Sequence, residues 1–115
     1  MHELSIATSI LETVEAEAAK RPGSRFVKLG LRIGELAGID PDALTFGWEA
    51  LTRDTEFANL ALAIEGTPWK NRCPVCASEF VVKDYQSQCP ACGEANTRCI
   101  GGEELDIAYI EVDEP

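Results

Sequence analysis

The sequence predicts an α+β fold with two helices, a small mixed three-stranded sheet and a cysteine-rich module inserted before the last strand. Three patterns support this prediction: apolar residues at helical spacing in two segments, alternating apolar residues in three segments, and two Cys-x-x-Cys pairs. At 115 residues, the chain has room for one small domain together with one metal-stabilised module.

The first helix is predicted from Leu4 to Arg21, because apolar residues recur there every three or four positions. Its apolar positions are Leu4, Ala7, Leu11, Val14 and Ala18, with Ile10 beside them. The dipeptide Pro22-Gly23 ends it. A half-buried strand follows over residues 25–33, where the side chains alternate. Its two faces are Val27, Leu29, Leu31 and Ile33 on one side and Lys28, Gly30 and Arg32 on the other.

Asp40 is a favourable N-cap and Pro41 suits the first position of a helix, so the second helix is predicted to begin here. Its apolar stripe consists of Leu44, Gly47, Trp48 and Leu51. The alternation of Leu60, Leu62 and Ile64 with small or charged residues predicts the second strand.

The third strand is predicted over residues 103–112 and carries apolar side chains on both faces. Alone it would have no core to join, so we expect it to return to the sheet of the first two strands. The predicted domains are residues 1–66, completed by the strand in 103–115, and an inserted module over residues 67–102.

Four cysteines in this module have the spacing of a metal site. Cys73 and Cys76 form one Cys-x-x-Cys pair, and Cys89 and Cys92 form another after a gap of 12 residues. A tight turn in each pair can direct two thiolates to one point, and four thiolates at about 2.3 Å complete a closed structural zinc site. The β-prone segment 79–83 lies between the pairs, so the module is predicted to be a zinc ribbon.

Two other interpretations of these cysteines fit less well. A redox dithiol is typically a single pair that opens a helix after a strand. A hydrolytic zinc enzyme needs an open coordination position and a base, whereas four cysteines close the site and His2 is the only histidine in the sequence. The fifth cysteine, Cys99, belongs to neither pair and is predicted to be a free, partly buried thiol.

The formal net charge of −10 argues against a nucleic-acid partner. Such a partner requires clustered Lys and Arg side chains that displace phosphate counterions. The module contains Lys70, Arg72, Lys83 and Arg98, offset by Glu79, Asp84 and Glu94. Four thiolates around one zinc add a local charge of about −2. Nucleic-acid binding is therefore not expected.

The compartment follows from two features of the sequence. No apolar run approaches the roughly 18 residues of a membrane span, and no basic segment precedes an apolar one at the start. Reduced, metal-bound cysteines are typical of the cytoplasm. We therefore expect a cytoplasmic protein without a membrane partner.

The first three residues, Met1, His2 and Glu3, offer a second and different set of metal ligands. The free amine of Met1, the amide nitrogen of His2 and the His2 ring Nδ1 can close two adjacent chelate rings on one metal. Glu3 adds a further amide nitrogen or a carboxylate. Nitrogen donors in one plane match Ni(II) or Cu(II) and do not match zinc. The alternative, and the more common case, is a terminal histidine without a function.

Taken together, these motifs resemble the HypA/HybF family of hydrogenase nickel-insertion proteins. The motifs are Met1-His2-Glu3, Ile33-Gly34-Glu35-Leu36 after the first strand, the double Cys-x-x-Cys, and Gly102-Glu103-Glu104-Leu105 before the last strand. The resemblance covers essentially the whole chain, in the same order. Cys99 is an extra residue that the pattern does not explain.

The resemblance implies a nickel metallochaperone and not an enzyme. It implies that Ni(II) is an exchangeable cargo at the N-terminus, with His2 as the essential ligand and the Met1 amine and Glu3 nearby. It also implies that the four cysteines hold structural Zn(II). Asp40 becomes a further candidate nickel ligand, while its position suits a helix cap at least as well.

The implied partners are a hydrogenase-maturation GTPase of the HypB type, the large subunit of nickel-iron hydrogenase and, in some organisms, urease maturation proteins. The alternative function is a zinc-ribbon module that binds proteins or nucleic acid and has no role for nickel. The sequence leaves the oligomeric state open between a monomer and a homodimer.

Overall fold

The computed structural model describes residues 2–115, with the backbone alone at His2. Over these residues it contains two helices and two three-stranded sheets, which confirms the predicted α+β class. The helices are α1 (His2–Ala19) and α2 (Pro41–Thr52), and one turn of 3-10 helix spans Glu35–Ala37. The strands are β1 (Arg25–Gly34), β2 (Ala61–Thr67), β3 (Lys70–Arg72), β4 (Glu79–Val81), β5 (Arg98–Gly101) and β6 (Leu105–Asp113).

The chain forms two compact units. The helical unit consists of Met1–Leu31, Ile39–Glu65 and Ile107–Pro115, and the ribbon unit consists of Arg32–Gly38 and Gly66–Asp106. The larger sheet has the strand order β2-β1-β6, and the smaller sheet has the order β4-β3-β5. The last strand therefore pairs with the first, as predicted. Within the described residues, neither helix has the length and apolar character that crossing a membrane requires.

An apolar core fills the helical unit. Its buried side chains are Ala7, Ile10, Val14, Phe26, Leu29, Leu31, Leu44, Trp48, Phe57 and Leu60. Gly47 of α2 faces α1, and a β-carbon there would stand in ordinary van der Waals contact with it, 3.7 Å from Leu4 Cδ1 and 3.9 Å from Ala7 Cβ. The buried indole of Trp48 donates its N–H to the Leu60 carbonyl at 3.2 Å, which satisfies its one polar group.

The buried stripe of α1 differs from the predicted one. Ala7, Ile10 and Val14 are buried, whereas Leu4 is 42% exposed and Leu11 is half-buried. Positions separated by three and four residues lie on one helical face, so the stripe passes through residue 10 and not residue 11. The helix also ends at Ala19, two residues before the predicted end.

β1 is more buried than simple alternation predicted. Phe26 is buried and makes an edge-to-face contact with Phe57 at a ring-centroid distance of 6.4 Å. The ring of Tyr109 covers Gly30 and occupies the space that a β-carbon would need. Because β6 lies at an edge of the sheet, its apolar side chains are half-buried or exposed, and 46% of Tyr109 remains accessible.

The ribbon unit contains the strand predicted between the two cysteine pairs, which is β4, and two strands outside the pairs that were not predicted. β3 is central and pairs antiparallel with both β4 and β5. Its middle residue, Asn71, is buried and accepts a hydrogen bond from Trp69 Nε1 at 2.8 Å. Asn71 also donates to Thr97 Oγ1 at 2.9 Å, so both ends of its amide are satisfied.

Glu104 joins the segments that enter and leave the ribbon. Its Oε1 accepts hydrogen bonds from Thr67 Oγ1 and from the Gly102 amide, both at 2.7 Å. These bonds, the one from Thr67 first, lower the pKa of the Glu104 carboxyl. Gly102 has a φ of 109°, and a β-carbon there would stand 2.7 Å from the Trp69 Cα. This position therefore requires glycine.

Candidate metal centres

Each Cys-x-x-Cys pair lies in a tight turn that is closed by the same two backbone hydrogen bonds. In the first turn, the Ala77 amide donates to the Cys73 carbonyl and the Cys73 amide donates to the Ser78 carbonyl, both at 2.9 Å. The second turn, residues 89–94, repeats both bonds at the same distance. The fifth residue of each turn is left-handed, with a φ of 63° at Ala77 and 82° at Gly93.

The two turns bring four thiols together. Cys73 Sγ lies 3.5 Å from Cys92 Sγ, and Cys76 Sγ lies 3.6 Å from Cys89 Sγ. All four sulfurs are within 4.8 Å of one another. These separations are far longer than a disulfide bond of about 2.05 Å. Four sulfurs placed about 2.3 Å from one tetrahedral centre are about 3.8 Å apart, so the cluster fits a single zinc-sized ion.

The thiols of this cluster differ in acidity. Hydrogen bonds with Ser78, from its side chain first and then its backbone, lower the pKa of Cys76 to about 6. The Glu94 amide also favours the Cys92 thiolate, but Cys73, desolvation and the other thiols together raise the pKa of Cys92 to about 12. Four thiols at this spacing resist full ionisation without a cation among them. A divalent ion removes this conflict and releases thiol protons as it binds.

Two of the predicted nickel ligands, Met1 and the His2 side chain, lie outside the described residues. Glu3 is described and lies in the first turn of α1, where backbone amides have no acceptor within the helix. Its Oε2 accepts a hydrogen bond from the Asp40 amide at 3.3 Å. The structure therefore brings together Glu3 and Asp40, two candidates that are far apart in the sequence.

Asp40 is the N-cap of α2. Its Oδ1 accepts hydrogen bonds from the Asp42 amide at 3.0 Å and the Ala43 amide at 3.4 Å, and Pro41 occupies the first helical position. One of the two interpretations of Asp40 is thus confirmed. The cap uses only Oδ1 of the carboxylate, so it does not prevent Asp40 from binding a metal. The role of Asp40 as a nickel ligand stays a prediction.

Sequence reasoning missed one feature near the cysteines. Strand pairing places Arg72 of β3 directly opposite Arg98 of β5. These two strands are too short to show an alternating apolar pattern, so nothing in the sequence indicates that Arg72 and Arg98 lie side by side.

Cys99 is half-buried, and its thiol donates to the Gly101 carbonyl at 3.3 Å. Among the described residues, Cys99 is not part of the four-thiol cluster.

The whole chain is similar to one family of proteins. Residues 1–112 match the family described as HypA, hydrogenase/urease nickel incorporation, metallochaperone. A relative named hydrogenase maturation factor HypA, from Geobacter metallireducens, is 42% identical over 113 residues, which cover 98% of this chain and 100% of the relative. A relative of the same name from Geobacter sulfurreducens is 40% identical with the same coverage.

Two solved structures share the fold. The solution structure of the Ni metallochaperone HypA from Helicobacter pylori has a TM-score of 0.65 at 19% identity and covers 98% of both chains. A solution structure of HypA protein has a TM-score of 0.69 at 21% identity, covering 96% of this chain and 95% of that chain. These two similarities show the fold alone. The match to the family over residues 1–112 and the relatives at about 40% identity show the family. This chain belongs to the HypA family of hydrogenase nickel-incorporation metallochaperones.

Proposed function

We propose that this chain carries Ni(II) at its N-terminus and delivers it during the maturation of nickel-iron hydrogenase. The contact between Glu3 and the Asp40 amide supports this proposal most directly, because it holds the carboxylate next to His2 in sequence against the start of α2. The Met1 amine, the His2 amide and the His2 ring Nδ1 supply the nitrogen donors that Ni(II) prefers. Family membership supports delivery to hydrogenase.

The charge at the start of the two helices supports cation binding. A helix N-terminus carries a partial positive charge of about half a unit, which by itself repels a metal ion. Glu3 in the first turn of α1, Asp40 as the cap of α2 and Asp42 in its first turn add three carboxylates. Their charge exceeds that of the two helix ends. Because only a free amine, a deprotonated amide and a neutral imidazole coordinate, nickel affinity falls as the solution becomes acidic.

The four-cysteine cluster is proposed to hold structural Zn(II). Four thiolates leave no open coordination position, so this site stabilises the ribbon and does not activate water. In this division, residues 1–66 with the strand in 103–115 form the nickel-binding domain, and residues 67–102 form the zinc ribbon. The two metals use different residues, so nickel can exchange while zinc stays.

The proposed partners are a GTPase of the HypB type and the large subunit of nickel-iron hydrogenase. The description of the family also includes urease, so urease maturation proteins belong to the same proposal. The proposed compartment is the cytoplasm, where thiols stay reduced and available to zinc.

Titration of nickel into untagged protein tests the proposal. The wild type should bind one nickel per chain, and His2→Ala should lose stoichiometric nickel binding because it removes the only imidazole in the sequence. Its fold and zinc content should not change, because a residue at the chain end contributes little to the core.

Protein with an N-terminal extension is a second test that leaves His2 in place, because the extension converts the Met1 amine to an amide. It should lose nickel and keep zinc. Matching nickel isotherms for wild type and His2→Ala would instead favour a zinc-ribbon interaction module without a nickel role.

A further inference from the structure

One face of the ribbon sheet is exposed and carries most of the positive charge of this unit. Residues directly opposite each other in antiparallel strands point to the same face. The basic ribbon face consists of Lys70 opposite Val81, and Arg72 opposite both Glu79 and Arg98. All five residues are exposed. The register of β3 and β5 shifts at Ile100. Ile100 is 44% accessible and is the second exposed apolar side chain here, after Val81.

The opposite face of this sheet serves the ribbon itself. Asn71 is 3% exposed and bonded on both sides, and Phe80 and Cys99 are half-buried. The ribbon sheet thus has an inner face that is buried or half-buried and an outer face that is exposed to solvent. The side chains of the outer face do not contribute to the core of the unit.

Arg72 and Arg98 lie opposite each other, and Glu79, which lies opposite Arg72 on the other neighbouring strand, engages Lys70 instead. Like charges in this arrangement destabilise a sheet. Among the described residues, six of the ten Lys and Arg side chains form ion pairs, including Lys70, which engages Glu79 at 3.7 Å. Within residues 2–115 as described, neither arginine has such a pair. Both guanidinium groups are exposed, so they are available to an external anion.

A shallow depression of about 230 Å³ lies at the two arginines. Its remaining lining residues are Cys73, Pro74 and Ala77. A planar guanidinium group binds a carboxylate through two parallel hydrogen bonds. Pro74 and Ala77 border the depression without adding a charge, so it suits a carboxylate between two guanidinium groups.

We propose that the basic ribbon face is a docking surface for an acidic segment of a partner protein. A carboxylate of that segment binds between Arg72 and Arg98. Two apolar side chains of the segment contact Val81 and Ile100, which lie on the two outer strands of the sheet. Charge complementarity supports this assignment, because the chain has a net charge of −10 and repels an acidic segment elsewhere. The inference does not depend on nickel binding.

A protein segment fits this face better than a nucleic acid does. A phosphate backbone is held by a longer series of cations than the three found here, and one of these is engaged by Glu79. Val81 and Ile100 have no partner on a phosphate backbone, whereas apolar side chains of a protein segment can cover them.

The test uses the zinc-loaded full chain and a fluorescein-labelled peptide of alternating Asp and Leu residues. Arg98→Glu places a carboxylate opposite Arg72, so it should preserve or raise the stability of the ribbon while removing the anion site. We expect its affinity for the peptide to fall at least tenfold. Arg53→Glu is the matched control, because Arg53 is exposed, lies outside the ribbon unit and has no ion pair within the described residues. It should bind like the wild type.

A second peptide with Asn in place of Asp should bind at least tenfold more weakly than the acidic one. Amide resonances of residues 70–72, 79–81 and 98–101 should shift when the acidic peptide is added to the wild type. The proposal is overturned by an absence of binding at millimolar peptide, or by equal binding to wild type and Arg98→Glu. Tighter binding of oligothymidylate at this face would assign a nucleic acid instead. A wild-type dimer that Arg98→Glu dissociates would assign a second copy of the chain.

Discussion

The two cysteine turns need left-handed backbone at their fifth residue, and the chain fills the two positions differently. Gly93, with a φ of 82°, adopts this conformation without steric cost, whereas Ala77, with a φ of 63°, pays about 1 kcal/mol. No described atom lies within 4 Å of the place where a β-carbon would stand at Gly93. A side chain there would therefore act through the backbone alone.

Gly93→Ala should destabilise the zinc-loaded ribbon by about 1 kcal/mol, because alanine has to adopt the left-handed region. Competition with a chromophoric chelator should show about fivefold weaker zinc retention. Gly66→Ala is the control, because Gly66 has open space around it and no positive φ. It should be neutral or slightly stabilising. Equal zinc retention in Gly93→Ala and wild type would mean that this turn does not require left-handed backbone.

At the scale of elements, α2 starts at a residue with two candidate roles. The sequence predicted the cap from Asp40 and Pro41, because an N-cap is a local signal that depends on adjacent residues. The hydrogen bond between the Asp40 amide and Glu3 was not predictable. It depends on how α1 and α2 pack. The apolar spacing predicted the packed face of α1 only in part, since Ala7 and Val14 are buried as expected whereas Leu4 is exposed.

Substitutions at Asp40 separate its two roles. Asp40→Ala removes the cap and should lower the free energy of unfolding of the helical unit by about 1 kcal/mol. Asp40→Asn keeps an equally good cap and removes the charge, so its thermal stability should match the wild type. Equal destabilisation of both variants would contradict the cap. Because Asp40→Asn keeps the fold, a change in its nickel affinity relative to the wild type would measure the contribution of the Asp40 carboxylate to nickel binding.

The strands of the ribbon show where prediction from the sequence fails among the elements. The cysteine spacing predicted a metal-centred turn pair with one strand between, since thiolate geometry fixes both turns. β3 and β5 contain three and four residues and have too few positions to display alternation. Their register brings Arg72 and Arg98 together. In the sequence the same two arginines are far apart and have acidic residues between them, so their proximity was not predicted.

For the whole molecule, the parts of the fold that were predictable are those with a dense local pattern. The helices and β1 follow from apolar spacing, and the return of β6 to the first sheet follows from its need for a partner. The exposure of β6 was not predicted, because an apolar strand at the edge of a sheet has the same sequence pattern as a buried one. The two units also differ in what stabilises them. The helical unit has an apolar core, whereas the ribbon unit has three short strands and the four-thiol cluster.

This difference predicts that zinc stabilises the ribbon unit and is not required by the helical unit. Replacing both Cys73 and Cys76 with Ala removes two of the four thiols, and a ribbon of short strands has too little apolar area to fold without its metal. We expect zinc content to fall from one ion per chain to a small fraction. Amide resonances of residues 70–101 should collapse to the positions of unfolded chain. Those of α1 and α2 should keep their dispersion, because Val14, Leu29 and Leu44 remain packed.

Cys99→Ala is the matched control for this prediction. It removes one thiol from the same unit, but the Cys99 side chain bonds to Gly101 and lies outside the four-thiol cluster. It should retain one zinc and the full ribbon spectrum. If Cys73→Ala/Cys76→Ala kept stoichiometric zinc, the metal would be bound elsewhere and the four-thiolate assignment would be wrong. If its helices also unfolded, the helical unit would need the ribbon for stability, and the apolar core formed by α1, α2 and β1 would be insufficient by itself.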